Sequence, residues 1–99
     1  MARLVWTEPT VDDLDAIAEY VALDKPQAAA VLVAKVFDAV ERLRRYPSSG
    51  KRPPELPRTP YREVVVGPCR IFYRVEASTI YVLHVMRAER LLRRYLLER

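Results

Sequence analysis

Arginines are the side chains of this sequence best suited to binding chemistry. Fourteen of the 17 basic residues are arginine. A guanidinium group can bind phosphate or carboxylate through two parallel hydrogen bonds, which a lysine ammonium cannot do. Several of the arginines fall within Tyr61–Arg90, a segment rich in β-forming residues. We predict that they form a target-binding surface, and its members are Arg62, Arg70, Arg74, Arg87 and Arg90.

Three other sets of side chains suggest catalysis or metal binding. His84 is the only histidine and invites a role as general base, but its apolar neighbours favour a buried or strand-edge histidine with one hydrogen bond. Cys69 is alone, and a structural cysteine is favoured over a reactive thiol. Asp12, Asp13 and Asp15 fall within one helical turn, where a solvated acidic face is favoured over a divalent-ion site. The sequence therefore predicts neither a metal nor a cofactor.

Length and composition predict one domain, residues 1–99, with a single core. No apolar run approaches the roughly 20 residues of a membrane span, and the N-terminus has no secretory pattern. A single cysteine fits a reducing compartment, so we expect a cytoplasmic protein. The net charge of +4 is uneven, because residues 1–41 carry −5 and residues 42–99 carry +9. This split predicts an acidic face and a basic face, the second suited to nucleic acid or to an acidic protein segment.

The N-terminal half predicts one strand and two helices. Arg3–Trp6 is a short strand candidate, and Thr7 with Pro9 can begin a helix whose exposed side is acidic. Asp24 is the expected N-cap of a second helix, which runs to about Tyr46. Because so few residues join them, the two helices should form an antiparallel hairpin that covers one face of a sheet.

The C-terminal half predicts a loop followed by three strands. Residues 47–60 contain five of the eight prolines and should form an extended, basic surface loop. The next segment predicts three antiparallel strands separated by turns at residues 67–68 and 76–78. Ile80–Met86 shows almost no polar alternation, which is typical of a central strand buried on both faces.

The last segment, residues 88–99, is expected to be an amphipathic helix. Its apolar side would carry Leu91, Leu92, Tyr95 and Leu96. The predicted fold class is therefore α+β: an N-terminal strand, an antiparallel helical hairpin, a three-stranded antiparallel meander that makes a four-stranded sheet in all, and a C-terminal helix.

Five motifs follow one another along nearly the entire chain, from about Val5 to Leu92. They are VWTEPTVDDLDAIAEYVALDKPQAA, LRRYPSSGKRPPEL, YREVVV, CRIFYRV and YVLHVMRAERLL. Together they resemble the ParE branch of the RelE/ParE toxins of bacterial type II toxin-antitoxin systems. The resemblance implies a helical hairpin packed on an antiparallel sheet, and a cognate, ParD-like antitoxin that wraps the toxin. It also implies a non-enzymatic inhibitor of DNA gyrase, with growth inhibition and plasmid stabilization as its biological effects.

The RelE branch instead cleaves mRNA on the ribosome, with lysines in the second strand, an arginine in the third, and an arginine and a tyrosine near the C-terminus. The second strand here carries Arg62 and no lysine, and an arginine is a poor base because its pKa exceeds about 12. Arg70 matches the third-strand arginine. The incomplete set favours the ParE branch. A ribosome-dependent ribonuclease is the alternative, and its candidate residues are Arg62, Arg70, Arg87, His84 and Tyr95.

The antitoxin contact is predicted from the chemistry of antitoxin tails, which are typically acidic and amphipathic. Coupled folding of such a tail onto an apolar groove rimmed by arginine would use both buried area and charge complementarity. We expect this groove between the helical hairpin and the sheet, bordered by Trp6, Leu14, Val21, Leu32 and Val36.

Overall fold

The computed structural model describes residues 1–99 and contains two helices and a four-stranded mixed sheet. The elements are β1 (Arg3–Trp6), α1 (Glu8–Ala22), α2 (Pro26–Arg42), β2 (Arg62–Val66), β3 (Cys69–Glu76), β4 (Thr79–Arg87) and a 3₁₀ helix (Arg94–Leu97). The strand order is β1-β4-β3-β2, with β1 parallel to β4 and the other neighbours antiparallel. The predicted α+β class, helical pair and meander are confirmed.

The main core lies between the helices and one face of the sheet. Leu32, Val36 and Val40 recur every four residues along α2, which places them on one side of the helix. They pack with Leu14 of α1 and with buried residues of β3 and β4. This face holds the largest cluster of buried side chains, and α2 thereby fixes the position of α1 above β4.

The ends of α2 differ from the prediction. Asp24 is not the N-cap of this helix; its amide donates to the Val21 carbonyl oxygen at 3.2 Å in the turn that ends α1. Lys25 takes the N-cap position, without a side-chain hydrogen bond, and Pro26 begins the helix. The helix ends at Arg42, not near Tyr46. Neither helix has the length and apolarity that crossing a membrane requires.

The opposite face of the sheet is covered by the proline-rich loop and the C-terminal tail. A second buried cluster lies here, made of Tyr61, Phe72, Met86, Leu92 and Leu97. The tail forms a single 3₁₀ turn at Arg94–Leu97 and not the amphipathic α-helix expected over residues 88–99. Arg93 is extended, with φ −109° and ψ 131°, so no helix continues through it.

The side of the tail that packs also differs from the prediction. Leu91 and Tyr95 are 72% and 67% exposed, whereas Leu92 and Leu97 are buried. Leu92 is fixed from outside the tail, because its amide donates to Glu55 Oε2 at 2.9 Å. This hydrogen bond joins residues that are 37 positions apart in the sequence. Such a distant contact, and not helical periodicity, decides which leucines face the core.

A bulge at Leu83 divides β4 in two. Phe72 of β3 pairs with His84, whereas the next residue of β3 pairs with Val82, so Leu83 has no partner. The extra residue changes the alternation of side chains. Val82 and Val85 both face the helical core, while His84 turns to the other face and stacks on Phe72. The central position predicted for this strand is confirmed, and the bulge places His84 near the tail.

Candidate functional site

A cleft of about 670 Å³ opens where β1 stops short along β4. β1 pairs with β4 only as far as Trp6 and Val82, after which the chain turns into α1. The hydroxyls of Thr7 and Thr10 hold this turn by donating to the Val82 carbonyl oxygen at 2.7 and 2.8 Å. One wall of the cleft is therefore α1, the other wall is the tail, and the second half of β4 forms the floor.

The cleft is rich in arginine. Guanidinium groups and apolar side chains line it together, and the arginines are Arg87, Arg90, Arg93 and Arg99. Arg87 lies over the ring of Tyr20, 5.3 Å from its centroid, and pairs with Glu89 at 2.8 Å. Arg90 and Arg93 are exposed, and their side chains make no ion pair or hydrogen bond. These two guanidinium groups are the ones most available to a partner.

Asp13, His84 and Arg99 share hydrogen bonds at one end of the cleft. Asp13 Oδ2 lies 2.7 Å from His84 Nδ1 and accepts from Arg99 Nη2 at 2.6 Å. Burial raises the pKa of Asp13, but the hydrogen bonds from His84 and Arg99 outweigh this and hold the pKa below its ordinary value. His84 is only 6% exposed. Its surroundings are those of the buried, hydrogen-bonded histidine that the sequence favoured over a general base.

Arg70 lies in a buried ion cluster next to the cleft. Its Nη1 and Nη2 donate to the two carboxylate oxygens of Glu55 at 2.8 and 2.7 Å. Its Nε donates to Glu63 Oε2 at 2.6 Å. Arg70 is 8% exposed and Glu63 is 1% exposed. The guanidinium group predicted to contact a target is therefore enclosed by two carboxylates of its own chain.

The same cluster ties the loop and the tail to the sheet. Arg70 Nη1 also donates to the Arg90 carbonyl oxygen at 3.2 Å, and Glu55 accepts from the Leu92 amide at 2.9 Å. The hydrogen bonds from Arg70 lower the pKa of Glu55 to about 2, although burial opposes them. The hydrogen bond to Glu55 likewise raises the pKa of Arg70. Arg70 thus positions the tail wall of the cleft.

The other predicted arginines do not share one surface. Arg62 is half-buried and donates to the Gly50 carbonyl oxygen at 2.8 Å. Arg74 lies over the ring of Tyr81, 4.5 Å from its centroid. Tyr81 precedes Arg87 by six residues of β4, which is roughly 20 Å along a strand. Of the five predicted residues, the structure brings only Arg87 and Arg90 together at the cleft.

The space predicted for an apolar groove is filled by the core of the chain. Leu14, Leu32 and Val36 are 5%, 7% and 0% exposed and pack on the sheet. Trp6 and Val21 are partly buried at the edge of this cluster. Three of the five predicted residues therefore belong to the interior, and Trp6 and Val21 lie at its edge.

Sequence reasoning missed several residues around the cleft. Glu55 lies in a proline-rich loop whose path the sequence does not predict. Arg93 and Arg99 lie in the segment expected to be an amphipathic helix, and that helix does not form. A signal did exist for Glu63, because a single carboxylate within the apolar strand β2 requires a buried cationic partner.

Comparison with known proteins identifies the family. The profile described as the ParE toxin of type II toxin-antitoxin system, parDE, matches residues 4–92. The chain belongs to the ParE toxin family. It is a toxin of a ParDE-type toxin-antitoxin system, and such a system pairs the toxin with a cognate antitoxin. The resemblance drawn from the sequence motifs is confirmed.

Relatives of this ParE toxin cover nearly its full length. It is 40% identical over 88 residues to the protein Y4kP of Sinorhizobium fredii, covering 87% of this chain and 88% of that protein. It is 34% identical over 92 residues to the toxin RelE2 of Caulobacter vibrioides, covering 92% of this chain and 100% of RelE2. A chain of the chromosomal ParDE TA system from P. aeruginosa superposes with a TM-score of 0.77 at 28% identity, covering 90% of this ParE toxin and 98% of that chain.

Proposed function

We propose that this ParE toxin acts in the cytoplasm by binding and inhibiting DNA gyrase without catalysis, and that its cognate antitoxin neutralises it. Membership of the ParE family supports the proposal, since gyrase inhibition is the activity implied for the ParE branch. Inhibition of gyrase would stop growth, and neutralisation by a ParD-like antitoxin would release it.

The proposal rests on one observation: Arg70 and His84, two groups that RNA cleavage would need, are already paired with carboxylates of the same chain. Metal-free cleavage requires a base for the 2′-hydroxyl, cations for the developing charge, and an acid for the leaving oxygen. Arg70 is held by Glu55 and Glu63, and the Nδ1 atom of His84 lies 2.7 Å from Asp13. Neither Arg70 nor His84 is free in this arrangement to meet a phosphate or a hydroxyl group.

We assign target recognition to three arginines of the cleft, the half-buried Arg87 and the exposed Arg90 and Arg93. Arginines beside aromatic and apolar side chains commonly carry the binding energy of protein interfaces. Tyr20 and Tyr95 supply the aromatic rings here. In this proposal Arg62 and Arg74 lie outside the main contact, and Arg70 acts by positioning the tail.

A ribosome-dependent ribonuclease is the second candidate function. Two observations favour it: the similarity to the toxin RelE2, and a cleft that brings three of the five candidate nuclease residues together. These three are His84, Arg87 and Tyr95. In this alternative the exposed Tyr95 hydroxyl would take part in proton transfer, and its removal would abolish activity.

Expression in bacterial cells separates the two functions. We expect a DNA-damage reporter to rise before protein synthesis falls. Tyr95→Phe should keep this effect within about twofold, because it removes a hydroxyl that a binding inhibitor does not need. Tyr46→Phe is the matched control, since Tyr46 is 60% exposed and lies outside the cleft. The proposal would be overturned if expression arrested translation and cleaved mRNA without a damage response, and if Tyr95→Phe but not Tyr46→Phe abolished this effect. That result would establish the ribonuclease.

A further inference from the structure

The strand β1 lies at one edge of the sheet, and its outer side has no neighbour. The amides of Arg3 and Thr7 donate to carbonyl oxygens in or just before β4, at 2.8 and 3.2 Å. Because alternate residues of a parallel strand bond to the same neighbour, the N–H and C=O groups of Leu4 and Trp6 point away from β4. Both residues are half-buried, and no loop or side chain bonds to these groups. The edge therefore offers two donors and two acceptors.

The opposite edge of the sheet, formed by β2, is better covered. The backbones of Lys51 and Glu63 exchange two hydrogen bonds at 3.0 and 2.7 Å, so only Val65 keeps outward backbone groups. Unpaired edges are sites where a strand of another chain can add, and proteins commonly block them with proline, bulges or charges. β1 contains no proline and no bulge, and its one charged residue, Arg3, stands at its start. It is therefore the edge most open to a further strand.

A second copy of β1 matches this edge. In an antiparallel pair centred on Val5, Leu4 of each copy lies opposite Trp6 of the other. Each of these two residue pairs exchanges two hydrogen bonds, so every outward group of both strands gains a partner. The pairing is two-fold symmetric, like most contacts between identical chains.

The side chains on both faces of the sheet suit the same pairing. Leu4 and Trp6 point toward the helical layer, where the ring of Phe37 lies 4.9 Å from that of Trp6 and is 48% exposed. Val5 points to the other face and belongs to none of the buried clusters, so its side chain is available to meet Val5 of the second copy. Aromatic and β-branched side chains placed opposite each other stabilise paired strands.

Antiparallel pairing also brings opposite charges together. Arg3 and Glu8 are exposed at the two ends of β1, and neither forms an ion pair within its own chain. The two-fold places Arg3 of one copy next to the Thr7–Glu8 end of the other. Arg44 limits the contact at the start of the strand, since it exchanges hydrogen bonds of 3.0 and 3.1 Å with the backbone of Ala2. Charge and spacing therefore favour a second copy along Arg3–Trp6.

We propose that two copies of this toxin associate through the open edges of β1 and join their four-stranded sheets into one continuous sheet. The inference goes beyond the proposed function, because it depends neither on the target nor on the antitoxin. The cleft begins where β1 ends, so each copy keeps its own cleft. The contact is short, and small interfaces are weak, so we expect a dissociation constant of roughly 10 to 100 μM.

A lysine at position 5 tests the two-fold contact. Val5→Lys places two ammonium groups opposite each other in the dimer, so its dissociation constant should rise at least about tenfold in sedimentation experiments. Val65→Lys makes the same change of charge at the exposed valine of the other edge and should stay within about threefold of wild type. Equal effects in two variants with wild-type circular dichroism would contradict the β1 contact. A wild-type toxin that stays monomeric at about 1 mM overturns the dimer.

A cysteine at the same position tests the register. Residues opposite each other that exchange no hydrogen bonds have Cα atoms about 4.5 Å apart, which a disulfide can span. Under mild oxidation Val5→Cys should give at least about tenfold more linked dimer than Val65→Cys, although Val65 is 56% exposed. The native Cys69 is buried and should not react. Equal yields from the two variants would indicate random collision and contradict the pairing.

Amide exchange of the unmodified toxin identifies what covers the edge. The Leu4 and Trp6 amides should exchange about tenfold more slowly at a concentration where the toxin is mostly dimer than where it is mostly monomer. The Val65 amide should not change. If both β1 amides stay unprotected at every toxin concentration and become protected only when antitoxin is added, the edge binds a foreign strand, and the second copy is overturned.

Discussion

Arg70 joins three segments that are distant in sequence: β3, the proline-rich loop and the tail. Its removal would leave Glu63, which is 1% exposed, without its nearest cation, and breaking a buried ion pair costs about 3 to 5 kcal/mol. We expect Arg70→Ala to lower the free energy of unfolding by about 3 kcal/mol in urea titrations. Arg58→Ala, at an exposed arginine without an ion pair, should change it by less than about 0.5 kcal/mol. Equal stability of the two variants would contradict a structural role for Arg70.

Glu55 makes the fold sensitive to acid. Its pKa is about 2 in the folded protein against an ordinary value of 4.5, so its contribution is complete above pH 4.5 and is lost as the pH falls toward 2. The shift corresponds to about 1 to 3 kcal/mol once screening by nearby water is allowed for. We expect Glu55→Gln to flatten the decline in stability between these pH values. Glu19→Gln, at an exposed carboxylate, should keep the wild-type slope, and an unchanged slope in Glu55→Gln would refute this assignment.

The types of side chain at the site could be predicted from the sequence better than the residues that each side chain contacts. An arginine-rich β segment was visible in composition, and a buried His84 followed from its apolar neighbours. The carboxylates that occupy Arg70 were not predictable, since Glu55 lies 15 residues away along a loop without periodicity. Whether an arginine is free or paired depends on such distant contacts, which local patterns do not contain.

At the scale of elements, the turn between β3 and β4 carries local strain. Ala77 has φ 53°, a left-handed conformation that costs a residue with a Cβ atom about 1 kcal/mol. We expect Ala77→Gly to raise the thermal midpoint, by relieving about 0.5 to 1 kcal/mol. The matched control is Ala88→Gly, at an exposed alanine outside the left-handed region, where added chain entropy should lower the midpoint. A lower thermal midpoint in both variants would contradict the claim that the backbone of Ala77 is strained.

The elements that the sequence predicted well are those specified by local periodicity. The apolar positions of α2 recur every four residues, and the strands of the meander are separated by short turns. The tail was not predictable, because Glu55 and Asp13 fix it through hydrogen bonds to Leu92 and Arg99. The bulge at Leu83 was hidden too, since the continuous apolar run around it gives no alternation that could reveal a change of face.

At the scale of the whole molecule, the acidic N-terminal part and the basic C-terminal part of the chain both contribute to the cleft. The acidic N-terminal part supplies the α1 wall, on which Asp13 is the one carboxylate that lines the cleft, while Asp12, Asp15 and Glu19 are exposed outside it. The basic C-terminal part supplies the tail wall with its arginines. This arrangement supports recognition of an acidic partner on one side of the cleft only, which fits a protein that acts by binding.

Titration of purified toxin against DNA gyrase tests the central claim most directly. We expect supercoiling to fall as the toxin approaches the concentration of gyrase, because a binding inhibitor acts stoichiometrically and an enzyme does not. Arg90→Glu/Arg93→Glu should need about tenfold more protein for the same effect, and Arg45→Glu/Arg58→Glu about the wild-type amount. Supercoiling that continues at micromolar toxin, while trace amounts of the same preparation cleave ribosome-bound mRNA, would contradict the claim.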